Sequence, residues 1–233
     1  MRWRPLTPLL VMIYVLIGAG MANGDEVSNL INQLRSSLPQ PALNENEARG
    51  SVRLPVDLGK EVYRREALRI YNIIDELSKL GQSAFPALIE HVRDKEYCIT
   101  ERSVTGAWRN ETVGRICEDL LACQVDVYQA YWRRLPPYRR KSGQSFLKIS
   151  LVDDNEQFRP EQWWTKNKEK PLWQIQCDAF DWAIESENAI GFKDTGEESQ
   201  VLGKLRLARD EIFTKHRAIA ATRPRPDENL ANE

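Results

Sequence analysis

Apolar side chains in this 233-residue chain recur three and four positions apart over most of its length, the spacing that lays them along one face of a helix. Val27, Leu30, Ile31, Leu34 and Leu38 form the first such stripe, and Pro39 and Pro41 close it. A proline-interrupted polar stretch follows to about Pro55. The next predicted helix runs from about Leu58 to Leu80, with Val62, Ile70, Ile74 and Leu77 on one stripe and Gly81 as its stop. Ser83 then caps a short helix from Ala84 to Arg93 that turns Phe85, Leu88, Ile89 and Val92 inward, with Pro86 in the first turn, where a missing N–H costs little. A polar loop from Asp94 to about Glu111 leads to a helix carrying Val113, Ile116, Cys117, Leu120, Gln124, Val127 and Tyr131, stopped by Pro136 and Pro137. Only Phe146 to Val152 alternates, Leu147, Ile149 and Leu151 against Lys148 and Ser150, which reads as one short extended segment near 146–152. Helices return over Pro160 to about Lys168 and over Pro171 to about Ala189. Thr195 and Glu198 make a capping box ahead of a last helix bearing Val201, Leu205, Ile212 and Phe213. The expectation is an all-α fold, one helical domain over residues 23–221, with a flexible tail at 222–233.

The N-terminus has the three-part layout of a secretory signal peptide: Arg2 and Arg4, an apolar run from Leu9 to Ile17, then Gly18, Ala19, Gly20, Met21 and Ala22. Cleavage after Ala22 puts small residues at the two recognition positions, and the mature chain then begins at Asn23. The apolar run is shorter than the roughly 20 residues that cross a bilayer, so membrane attachment requires this segment to stay uncleaved. The expected location is the periplasm or the extracellular space. A formal charge of −1 argues against a generally basic nucleic-acid binder, and no nucleic-acid partner is expected.

The run Leu77-Ser-Lys-Leu80-Gly81-Gln-Ser-Ala84-Phe85-Pro86-Ala-Leu88-Ile89, closed by Asp94, ends one helix at a glycine and starts the next through a proline-containing turn. This pattern resembles the helical hairpin of HEAT-like repeats, over roughly residues 66–131 with the helix from Val113 counted as the next layer. The whole chain also resembles small secreted bacterial proteins of unassigned activity. Its cues are Thr112 to Cys117, the pair Trp163 and Trp164 followed by Asn167 and Lys168, and Phe180 to Glu185. The resemblance implies a short α-solenoid or irregular helical bundle with a scaffold or binding role, and carries over no catalytic residue.

All four cysteines, Cys98, Cys117, Cys123 and Cys177, lie in the mature chain, and an even count in an exported protein permits two disulfides. Cys117 and Cys123 sit about 120° apart on one helix and are ill placed to bridge each other, which leaves Cys98 to one of them and Cys177 to the other. The alternative is four small buried thiols. With no CxxC and only His91 and His216 as imidazoles, neither a metal site nor a cofactor is expected.

Two surfaces are candidates for binding. From Val127 to Val152 the chain carries no acid, while Trp132, Arg133, Arg134, Tyr138, Arg139, Arg140 and Lys141 form a basic-aromatic patch suited to an anionic polymer, a phospholipid surface or an acidic partner, unless it is a solvated loop whose arginines pair with acids elsewhere on the chain. Trp163, Trp164 and Trp173 are set among Lys166, Lys168 and Lys170, where indoles stack on sugars or anchor a partner unless they pack inward. Catalytic motifs such as GxSxG and HExxH are missing from the sequence. The functional expectation is therefore an exported interaction scaffold with an envelope or extracellular partner. The alternative is a secreted helical enzyme acting on envelope polymers, with an acid near Trp163 or Glu90 as its proton carrier. Asn110-Glu111-Thr112 is a glycosylation sequon.

Overall fold

The structure, a computed structural model, describes residues 24–43, 57–102, 107–127, 145–152 and 157–222. Among them are eight α-helices and one two-stranded sheet, so the protein is predominantly α-helical. The chain divides into two compact units, Met1–Gln124 and Val125–Glu233.

In the first unit, α1 (Gly24–Gln33) buries Val27 and Ile31 against α2 (Glu61–Lys79) and α3 (Phe85–His91). The buried stripe of α2 is Ile70, Ile73 and Leu77, each removed from water at about 1.5–3 kcal/mol. Val62, placed on this stripe by its spacing, is instead half exposed, and the buried stripe begins only at Ile70. Gly81 takes φ +61°, and a tight 3-10 turn over Gly81–Ala84 reverses the chain into α3, whose Phe85, Leu88 and Ile89 are buried.

The stretch expected as a polar loop contains a β-hairpin, β1 (Tyr97–Arg102) paired antiparallel with β2 (Trp108–Thr112). Cys98, Ile99 and Thr100 of β1 are all buried, so the strand lacks the alternation that would have announced it. Helix α4 (Val113–Val125) begins directly after β2, its first amides donating to backbone oxygens of Glu96 and Asp94. The approach is so close that a Cβ on Gly114 would lie 2.5 Å from the carbonyl oxygen of Val92.

The second unit holds α5 (Phe146–Ser150), α6 (Pro160–Asn167), α7 (Leu172–Ile190) and α8 (Thr195–Thr222). The segment expected as extended is thus a short helix, and only Val152 is extended, bridging to Phe158. Its alternation is overridden by local hydrogen bonding, since the Ser145 hydroxyl accepts from the Lys148 amide and caps the turn. Helices α7 and α8 pack as a hairpin through Gly191, which has φ +81°. Val201, Leu202, Leu205 and Ala208 give α8 its buried face, and Phe213, expected on that face, is 43% exposed. The helix is capped one residue earlier than expected: the Asp194 carboxylate accepts from the Glu197 amide, and Glu197 reaches back to the Lys193 amide.

Candidate functional site

In the first unit, a polar web ties the segment after α1 to the rest of the unit. Glu66 of α2 accepts from Arg69 at 2.7 Å, from the Ser37 amide at 2.8 Å and from both serine hydroxyls of Ser36 and Ser37. Arg69 also donates to the backbone oxygens of Gln33 and Arg35. The Arg69 hydrogen bond outweighs burial and, with the Ser37 amide, holds the Glu66 carboxyl down at about 2. Further along, the Tyr63 hydroxyl donates to the Pro39 oxygen and the Asn110 amide to the Pro41 oxygen. Beside this web lies a small cleft lined by Ser36, Tyr63, Glu66, Tyr97, Cys98 and Thr100.

The chemistry of that cleft is set by its pKa shifts. Glu66 stays a carboxylate across the physiological range and cannot deliver a proton. Burial pushes the Cys98 thiol up to about 12, where the thiolate nucleophile is nearly absent, and does the same to Cys117. His91, the imidazole beside Glu90, stands 3.6 Å from an Asp94 oxygen that Arg35 already engages at 2.6 Å. Asp94 also accepts from the Glu96 amide, so this group organises the turn into β1. The sequon is likewise committed to structure: Asn110 accepts from Thr100 at 2.5 Å while donating to Pro41, and Thr112 accepts from the Arg115 amide at the start of α4.

No two of the four cysteines are bonded to each other, which favours the thiol alternative that the sequence left open beside the disulfides. Cys98 and Cys117 fill the core of the first unit as small apolar groups, Cys177 is buried in the second, and Cys123 is exposed on α4. Among the described residues no group of His, Cys, Asp and Glu is arranged to hold a metal ion, and no helix is long and apolar enough to cross a membrane.

In the second unit the three predicted tryptophans have different surroundings. Trp163 is buried in the α6 packing, with Trp164 half-buried beside it at 6.4 Å between ring centroids. Trp173, at the start of α7, meets α8 instead: His216 lies nearly parallel to it, 14° between planes and 5.9 Å between centroids, and Phe213 meets it edge-on at 5.9 Å. The spacing of Phe213 and His216, three apart on one helix, was a readable signal for this cluster.

Of the candidate residues, the patch from Trp132 to Lys141 falls outside the described residues, as do the signal segment and the expected tail beyond Thr222, which itself ends α8. The two ends flanking the patch are described. Asp126 is 1% exposed and its carboxylate accepts from the Ser145 hydroxyl and, at 3.1 Å, from the Leu147 amide. The chain thus leaves at Val127 and is back at Ser145 within hydrogen-bonding reach of where it left. Asp126 was not singled out from the sequence, although it is the last acid before the acid-free stretch. No protein family matches this chain, and neither a curated protein nor a solved structure is significantly similar to it.

Proposed function

We propose that this protein is an exported interaction scaffold that holds an anionic partner, an acidic protein or envelope polymer, through the basic-aromatic segment 128–144. The observation that carries the reading is the Asp126 anchor. A buried carboxylate ties Ser145 and Leu147 to the start of the segment, and between those ends lie Arg133, Arg134, Arg139, Arg140 and Lys141 among Tyr128, Tyr131, Trp132 and Tyr138, without an acid. Closing the ends of a segment concentrates its charge, and closely spaced guanidinium groups chelate carboxylate, sulfate or phosphate oxygens. At the first unit's cleft the states of Glu66 and Cys98 favour binding over catalysis, because the carboxyl is held ionised and the thiol protonated.

The remaining parts of the reading are consistent with this role. Signal-like residues 1–22 deliver the chain to the periplasm or beyond. A HEAT-like hairpin centred on Gly81 supplies the framework, supported by the left-handed glycine and the inward Phe85, Leu88 and Ile89.

The test is retention of the full chain on a sulfate-bearing resin under a salt gradient. Arg139→Glu with Arg140→Glu is expected to elute at clearly lower salt than the unaltered chain. Equal elution of the two would remove the segment as the binding surface.

A further inference from the structure

Between Leu34 and Pro41, both buried, the chain of the first unit buries no side chain at residues 36–40: Ser36 and Leu38 are half-buried, and Ser37, Pro39 and Gln40 are exposed. What ties these residues down is polar. The Ser36 amide donates to the Tyr97 oxygen of β1 at 3.0 Å, the Ser37 amide and both serine hydroxyls donate to the Glu66 carboxylate of α2, and the Tyr63 hydroxyl of α2 donates to the Pro39 oxygen at 3.0 Å. The two ends are held more firmly. Leu34 is 0% exposed and Arg35 is bound to Asp94 at 2.6 Å, while the Pro41 oxygen takes the Asn110 amide. We infer that residues 36–40 form a strap that lifts off α2 and β1 by itself, between these two fixed ends, and in lifting admits small solutes to the cleft while α1, α2 and the hairpin stay packed.

The ties of the strap are of the kind that gives way first. A hydrogen bond at a wet surface exchanges for one to water at small net cost, whereas pulling out Ile31 or Leu34 would expose apolar surface, so the strap opens more readily than the elements beside it. Pro39 and Pro41 bring no amide N–H, and the strap therefore does not continue along β1 as a strand. Glu66 loses the Ser37 amide when the strap lifts but keeps the Arg69 hydrogen bond, the larger hold on its carboxylate. Arg69 also grips the oxygens of Gln33 and Arg35, which keeps the hinge at the first end in place. Ser36 forms part of the wall of the cleft with Tyr63, Glu66, Tyr97 and Cys98, so its departure widens the entrance. Cys98 reports that motion. With the strap down, burial holds its thiol at about 12, and a reagent is refused both for want of access and for want of a thiolate. Cys117 is just as buried but does not line the cleft, and Cys123 is exposed.

The experiment is alkylation of the full chain by iodoacetamide at about pH 8, with initial rates assigned to each cysteine by mass spectrometry, alongside hydrogen exchange of its amides. Cys123 is expected to react fast, Cys117 very slowly, and Cys98 roughly tenfold or more faster than Cys117, because a local opening is more frequent than a global one. Tyr63→Phe removes the tie to Pro39 and keeps the ring. It should raise the Cys98 rate and the exchange of the Ser36, Ser37 and Leu38 amides several-fold by a common factor, leaving Cys117 and the amides of α2 as they were. Ser37→Ala, which drops one bond to Glu66 from an exposed side chain, should act in the same direction. Equal rates at Cys98 and Cys117, amides 36–38 exchanging no faster than those of α2, a Cys98 rate unmoved by both variants, or variants that speed Cys98 and Cys117 together would each overturn the strap.

Discussion

Gly114 and Gly203 show how differently one residue type is used in the same chain. A Cβ at Gly114 would strike the backbone oxygens of Val92 and Asp94 at 2.5 and 2.7 Å, whereas one at Gly203 on α8 meets nothing within 4 Å. Gly114→Ala is therefore expected to cost about 1–3 kcal/mol in denaturant unfolding, as overpacking against unyielding backbone does. Gly203→Ala should gain up to about 1 kcal/mol from helix propensity. Equal effects would contradict the packing at the start of α4. Glu66 gives a prediction of its own. Its folded pKa of about 2 lies below the ordinary 4.5, so its stabilisation is present above 4.5 and is lost as pH falls toward 2. Glu66→Gln should flatten the acid limb of a stability-against-pH curve over that window, and an unchanged limb would show that the serine and arginine bonds do not hold this carboxylate. Neither role was legible beforehand. Glu66 reads as an ordinary surface acid of a helix, and the closeness of Gly114 to a turn twenty positions back is set by tertiary packing that no local pattern encodes.

At the scale of elements, the long helices were readable because their stripes are long enough to fix the period. Leu77, Gly81, Phe85 and Leu88 foretold a helix, a stop and a return, and the glycine has the left-handed backbone such a stop requires. Short elements were read wrongly for a shared reason: five or six residues cannot distinguish periods of two and three and a half. Leu147, Ile149 and Leu151 alternate, yet Ser145 and Asp126 supply caps that make the segment helical. Cys98, Ile99 and Thr100 do not alternate, yet they form a strand buried along its length. The start of α8 illustrates how finely caps decide a boundary, with Asp194 and Glu197 doing what Thr195 and Glu198 were expected to do. Asp194→Ala should cost about 1 kcal/mol, while Thr195→Ala should cost little. Thermal unfolding of the two variants checks this, and the reverse order would restore the later cap.

For the whole molecule, helical content and the segments rich in cations and indoles were legible in advance, but how those segments are framed was not. Trp163, Trp164 and Trp173 look alike in a list of residues, yet one is buried and another is stacked on a histidine from a helix forty residues later. The basic-aromatic segment acquires its meaning from Asp126, which brings its ends to one buried point. Binding of an anionic partner there is the central claim. Its most direct test is a hydrogen-exchange footprint of the full chain with and without dextran sulfate. Slowed exchange concentrated in residues 128–144, abolished by Arg139→Glu with Arg140→Glu, is the predicted result. Slowing confined to other parts of the chain, or persisting in the charge-reversed variant, would contradict it.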